Sequence, residues 1–234
     1  MTQETFAGDR KAPMKSPLAR VERRFIDASV HRFPPWLKTQ HLTMMTVLWC
    51  LGLILSGWLA GRHSLHWLWL SSLMLFLQWF TDAFDGSLGK ARGAGLVKWG
   101  YYMDHLLDYL FVCCIIISYM FIVDGASRYW LILTLPVLSA MWVSAFLSFN
   151  ITNQFQITQL GVGPTEFRLL FIALNTAIIF CGKNFFIIGL PLLFGAALIA
   201  LLLIMKKTSD QIWRIDMEAK NKARNPERVT PQGD

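Results

Sequence analysis

Uninterrupted apolar runs of about twenty residues leave a chain few options, because a backbone inside a bilayer must satisfy its own hydrogen bonds and does so as a helix. Leu42 to Ala60, Tyr129 to Phe149 and Phe185 to Met205 are runs of this kind without a charged residue. Three further segments, Leu65 to about Phe84, Tyr101 to Val123 and Phe167 to Cys181, reach spanning length only by drawing ionisable residues into one helix end. Charge at that depth is costly and commonly functional. The expected fold is an all-α integral membrane protein with six transmembrane helices. A single domain is expected over residues 1–234: a juxtamembrane segment at 1–39, the bundle at 40–205 and a tail at 206–234.

Composition supports this class. Only 16% of residues are charged and 54% are apolar, against about 25% charged in a soluble domain, so too little polar surface exists to face water all round. The four cysteines, Cys50, Cys113, Cys114 and Cys181, sit inside apolar stretches without metal-ligand spacing, which excludes a disulfide scaffold or a zinc site. The net charge of +7 comes from basic residues gathered at the ends of apolar runs, where lipid headgroups lie, and implies a membrane rather than a nucleic-acid partner. With six spans, nineteen Lys and Arg residues fall on the side of the termini and three on the other, Arg62, Arg128 and Lys183. That asymmetry predicts a multi-pass protein with both termini cytoplasmic, which in a bacterium means the inner membrane. Before the first span, Leu18, Val21, Phe25 and Ile26 recur at helical spacing, opposite Arg20, Arg23, Arg24 and Asp27. This pattern predicts an N-terminal amphipathic interfacial helix ended by Pro34 and Pro35, with Trp36 as an anchor. The ends of the chain, to about Lys15 and after about Asn221, read as solvated tails.

The chemistry lies between Asp82 and Asp108. Asp82 and Asp85 are three residues apart at the end of the second span, and Asp104 and Asp108 four apart at the start of the third. Both spacings place their carboxylates on one helix face, and the short connection lets the pairs meet. Four ionised carboxylates so close repel unless cations lie among them, and all-oxygen ligands suit Mg²⁺, Mn²⁺ or Ca²⁺ rather than zinc. Two such ions about 3.5 to 4 Å apart can clamp a diphosphate during displacement at phosphorus. Gly86, Gly89, Gly93, Gly95 and Gly100 permit close approach of backbone to a ligand, and Lys90, Arg92 and Lys98 offer phosphate partners. A single aspartate here is as well explained as helix punctuation; four at these spacings are not.

This stretch resembles the signature of the CDP-alcohol phosphotransferases, D-x-x-D-G-x-x-A-R followed after a spacer by G-x-x-x-D-x-x-x-D. Asp82, Asp85, Gly86, Gly100, Asp104 and Asp108 occupy its fixed positions. The centre departs: Gly89 and Lys90 stand at the A-R offset, and the literal Ala91-Arg92 comes two residues late. The resemblance implies a six-helix membrane fold, usually a homodimer, whose cytoplasmic acidic site binds two Mg²⁺ or Mn²⁺ ions and a CDP-linked donor. It implies metal ligation by Asp82, Asp85 and Asp104, with Asp108 as general base and further ligand. It also implies donor contacts around Gly86, Gly100 and either Lys90 or Arg92. An acceptor hydroxyl then attacks the phosphorus distal to cytidine and CMP departs, one of the two substrates being a lipid.

A second polar cluster, Gly161 to Arg168, opens the fifth span with a Gly-Pro-Thr-Glu turn. With the Asp104-His105 dipeptide it resembles the choline and ethanolamine branch of that family, which implies that Glu166 and Arg168 border an acceptor pocket. An ordinary helix start, with Thr165 capping and Arg168 snorkelling, explains the cluster equally well. A cation transporter or channel using the acidic residues as its ion site is the competing function. It requires polar residues continuing through the membrane, and Asn175 is the lone example in the spans away from the cluster.

Overall fold

A computed structural model describes residues 19–152 and 164–224. Gly161 to Gly163 of the second polar cluster and the outer parts of both tails lie outside the described residues. The described chain is helical, without a strand: α1 (Ala19–Ser29), α2 (Thr39–Arg62), α3 (Leu68–Ala91), α4 (Val97–Met120), α5 (Ser127–Thr152), α6 (Pro164–Cys181) and α7 (Phe185–Arg224). Single 3₁₀ turns follow α1 and precede α3.

Helices α2, α4, α5, α6 and α7 are long and apolar enough to cross a membrane. The expected count was six. The segment expected as the second span is the 24-residue helix α3, about 36 Å long at 1.5 Å per residue, but Gln78, Asp82, Asp85 and Lys90 dilute its hydropathy and it does not join that set. The α7 helix also differs from expectation: it continues unbroken past Met205 to Arg224, so the first part of the presumed tail prolongs the helix.

At the end far from the acidic residues, α2 and α4 touch backbone to backbone. A Cβ on Gly57 would stand 2.6 Å from Ser118 Cα, and one on Gly61 would collide with the Phe121 carbonyl. Small residues four apart permit such close crossing, and dispersion between the backbones replaces the hydrophobic drive that lipid does not supply. Around this contact a core forms from Leu53, Leu68, Leu75, Phe111, Ile115, Ile116, Tyr119 and Ile178. Leu48, Leu51 and Leu55 on α2, Val143, Leu147 and Ile151 on α5, and Leu192, Ile199 and Leu202 on α7 are exposed, as faces bathed in acyl chains would be.

The α1 helix covers Ala19–Ser29, so Leu18 of the apolar pattern lies outside the described residues, and Ile26 of that pattern rests on protein. Ile26 and the following Val30 join Leu37, Leu42, Phe84 and Leu88 in a second, smaller core at the acidic end. Phe25, itself half exposed, meets Phe84 edge-on at a centroid distance of 5.8 Å.

Candidate active site

The turn between α3 and α4 determines where the aspartates meet. Gly93 takes φ +60°, a conformation glycine adopts without penalty. The Ala94 N–H donates to the Gly89 carbonyl at 3.0 Å, and the Gly93 N–H to that of Lys90 at 3.2 Å. This Schellman termination stops α3 sharply, and α4 begins after the five residues 92–96. One carboxylate oxygen from each of Asp82, Asp104 and Asp108 then lies within 4.8 Å of the other two. These side chains are 19% to 21% exposed, which leaves the cluster open to a ligand.

An ion that holds oxygens at distance d cannot hold two of them further apart than 2d, about 4.2 Å for Mg²⁺ and about 5 Å for Ca²⁺. The observed spread suits an oxygen-ligated divalent ion, with a small closure of the carboxylates for the smaller one. The donor set is made of hard carboxylate oxygens, the chemistry such ions select. The residues therefore fit the divalent metal that the spacing suggested.

Asp85 is oriented differently. It is buried, and its Oδ2 accepts the Thr43 hydroxyl of α2 at 2.8 Å, while its carbonyl accepts the Thr39 hydroxyl at 2.6 Å. The three-residue spacing leaves it displaced around α3 from Asp82, toward α2. Thr39 and Thr43 thus anchor the acidic end of α3, a role with no signal in the sequence beyond two hydroxyls one turn apart.

Arg168 is buried and points into the cluster rather than toward headgroups. Its Nη2 donates to Asp82 Oδ2 at 2.7 Å and lies 3.5 Å from Asp108 Oδ1. The same Asp108 oxygen accepts the Gln78 amide at 2.8 Å. Gln78 is fully buried, and its own Oε1 has no hydrogen-bond partner among the described residues. Sequence reasoning passed over Gln78, although a strongly polar residue one turn before Asp82, on the same face, was the available signal. His105 lies beside Asp104, Nδ1 to Oδ2 3.3 Å, and its ring packs on Tyr101 at 4.4 Å. Glu166 occupies the first turn of α6, half-buried.

The basic and glycine candidates separate into two kinds. Arg92 donates to the carbonyls of Phe33 and Pro34 at 3.0 Å each, to that of Pro35 at 3.4 Å and to that of Leu37. Its guanidinium thus ties the α1–α2 connection to the end of α3. Lys90 stands exposed in the last turn of α3. Gly86 and Gly100 are helical, and a Cβ on either would meet nothing within 4 Å. Glycine inside a helix costs about 1 kcal/mol relative to alanine, and neither backbone conformation nor packing requires it at these two places. They leave bare helix surface next to Asp85 and one turn before Asp104, as the approach of a ligand would demand.

Asn175 is fully buried at the other end, where its Oδ1 accepts the Tyr119 hydroxyl at 2.7 Å and its Nδ2 donates to Ser72 Oγ at 3.1 Å. It ties α6 to α4 and α3.

The sequence profile of the CDP-alcohol phosphatidyltransferase family matches residues 38–207, a stretch holding all four aspartates, Gln78 and Arg168. The chain matches no curated protein and no solved structure.

Proposed function

The chain belongs to the CDP-alcohol phosphatidyltransferase family, transferases that move a substituted phosphate from a CDP-alcohol in phospholipid synthesis, and on that premise we propose the reaction and the residue roles. The protein transfers a phosphoalcohol from a CDP-linked small alcohol to a lipid hydroxyl and releases CMP. The observation that carries this reading is the meeting of Asp82, Asp104 and Asp108 within 4.8 Å, with Arg168 inserted between two of them.

Asp82, Asp85, Asp104 and Asp108 would hold two Mg²⁺ or Mn²⁺ ions, which when bound would neutralise the diphosphate and polarise it at phosphorus. With all four carboxylates ionised, they and Arg168 sum to three negative charges, the excess that such cations would offset. Asp108, fixed at one oxygen by Gln78 and Arg168, takes the proton of the acceptor hydroxyl. The hydroxyl oxygen forms its bond to the phosphorus distal to cytidine as the bond to the CMP oxygen breaks. The donor lies over the bare surfaces at Gly86 and Gly100, and Lys90, at the basic offset of the motif, meets its phosphates. Arg92 serves the fold. Glu166 and Arg168 border the acceptor. In this reading α3 is the sixth crossing, the acidic end and both termini face the cytoplasm, and two copies pair in one membrane. The Asp104-His105 and Gly-Pro-Thr-Glu features favour the small alcohol on the donor side.

Purified protein in lipid–detergent micelles, given radiolabelled CDP-linked donors and a panel of lipid and soluble hydroxyl acceptors, tests the proposal. Release of CMP is expected only with Mg²⁺ or Mn²⁺, abolished by excess chelator and restored by re-added ion. Release that persists in chelator removes the metal clamp. Release from CDP-diacylglycerol alone reverses the donor assignment.

A further inference from the structure

Glu22 of α1 is half-buried, and both oxygens of its carboxylate are engaged. Oε1 accepts the indole N–H of Trp79 on α3 at 3.0 Å, and Oε2 accepts the hydroxyl of Thr165 on α6 at 3.0 Å. Each contact lies three residues before a member of the buried ion pair of the site: Trp79 before Asp82, and Thr165 before Arg168. Three residues are roughly one helical turn, about 4.5 Å along the axis.

We infer that Glu22 is a positioning residue for the site: by bridging α3 and α6 one turn from Asp82 and Arg168, it fixes the spacing at which that pair is held. A planar side chain of this length suits the bridge. The indole N–H only donates and so needs an acceptor, while the Thr165 hydroxyl donates here to the second carboxylate oxygen and can equally accept. The bridge is supported from α1, because Ile26 and Val30 seat that segment on Phe84 and Leu88 of α3. The Asp82 to Arg168 contact of 2.7 Å spans two helices, so its length depends on how the first turn of α6 sits against α3. A shift of about 1 Å is enough to cost a catalytic site roughly a hundredfold.

Two measurements on the full-length chain test the inference, and only the second rests on the phosphotransferase reading. The first is amide hydrogen exchange. Glu22→Ala and Thr165→Val are each expected to raise exchange across residues 165–170 by roughly tenfold, about 1.4 kcal/mol, with exchange in α2 and α5 unchanged. The double variant is expected to equal either single one. Glu22→Gln is expected to behave as wild type, since its carbonyl oxygen accepts from Trp79 and its amide donates to the Thr165 oxygen. The second is CMP release from whichever CDP-linked donor the wild type accepts: kcat is expected to fall about tenfold in Glu22→Ala and to be rescued in Glu22→Gln. Unchanged exchange in Glu22→Ala, or effects of the two single variants that simply add, overturns the inference whatever the turnover. A wild type inert toward every CDP-linked donor overturns the functional reading and leaves the exchange result to decide the bridge.

Discussion

Two buried amides separate the ends of this bundle. Gln78 and Asn175 are both fully enclosed, one beside the carboxylates and one at the far end. Asn175 is satisfied at both its atoms, by Tyr119 and Ser72, whereas Gln78 spends its amide on Asp108 and leaves Oε1 without a partner among the described residues. A complete polar network specifies packing and rigidity, and an incomplete one is tolerated where chemistry needs the group. The same contrast recurs around them. At the far end helices touch at Gly57 and Gly61. At the acidic end they are held by hydroxyls and guanidinium groups that define a polar recess. On this view the far end stores the stability and the acidic end carries the activity.

The largest break between the two ends is expected from Asp108→Asn. The substitution keeps the shape and, through its carbonyl oxygen, the Gln78 bond, but removes the proposed proton acceptor. Turnover should fall by about 10² to 10⁴, while the melting temperature and the binding of Mn²⁺ are retained. Near-normal turnover would take the base away from Asp108. A lost fold would place stability at the wrong end of the comparison.

A reciprocal pair sharpens the contrast further. Gln78→Leu frees one Asp108 oxygen from its donor; a hydrogen bond to a charged group is worth about 1.5 to 3 kcal/mol, so kcat should drop by roughly 10- to 100-fold with little change in melting. Asn175→Leu strands two buried hydroxyls and should cost roughly 1 to 2 kcal/mol of stability, seen in thermal or denaturant unfolding in micelles, with kcat per folded molecule unchanged. If the readouts exchange, with Gln78 moving stability and Asn175 moving turnover, completeness of a polar network no longer distinguishes scaffold from site.

Much of this division was legible in the chain. The apolar runs located the helices, and the Asp82 to Asp108 spacing identified the cluster, because both are local periodicities. The parts that escaped depend on partners far apart in sequence. Arg168 reads equally as a border of an acceptor pocket and as a snorkelling arginine until α6 packs on α3 and carries it to Asp82. Arg92, read as a phosphate ligand, is bound to carbonyls near Pro34 because the chain before α2 folds back over the end of α3. Asp85 stands at a motif position, yet the face it occupies is set by Thr39 and Thr43 of a different helix. The membrane count shows the same limit: the residues that equip α3 for the site are those that lower its hydropathy below that of its neighbours.

The smallest effect concerns two ion pairs, one at each end. Arg168 with Asp82 is 9% and 20% exposed, whereas Lys183 with Asp124, at the far end, is 45% and 76% exposed at 3.1 Å. The attraction between exposed charges is screened, and ordering two flexible side chains offsets most of what remains, so such pairs contribute about 0 to 1 kcal/mol. Lys183→Gln should therefore leave both melting temperature and kcat within measurement error, in low salt as in high salt. A clear loss of stability that salt also produces in the wild type would mean that charge at the far end bears on the fold. Stability there would then no longer rest on backbone contact and the Asn175 network, and the contrast between the two ends would have to be redrawn around electrostatics.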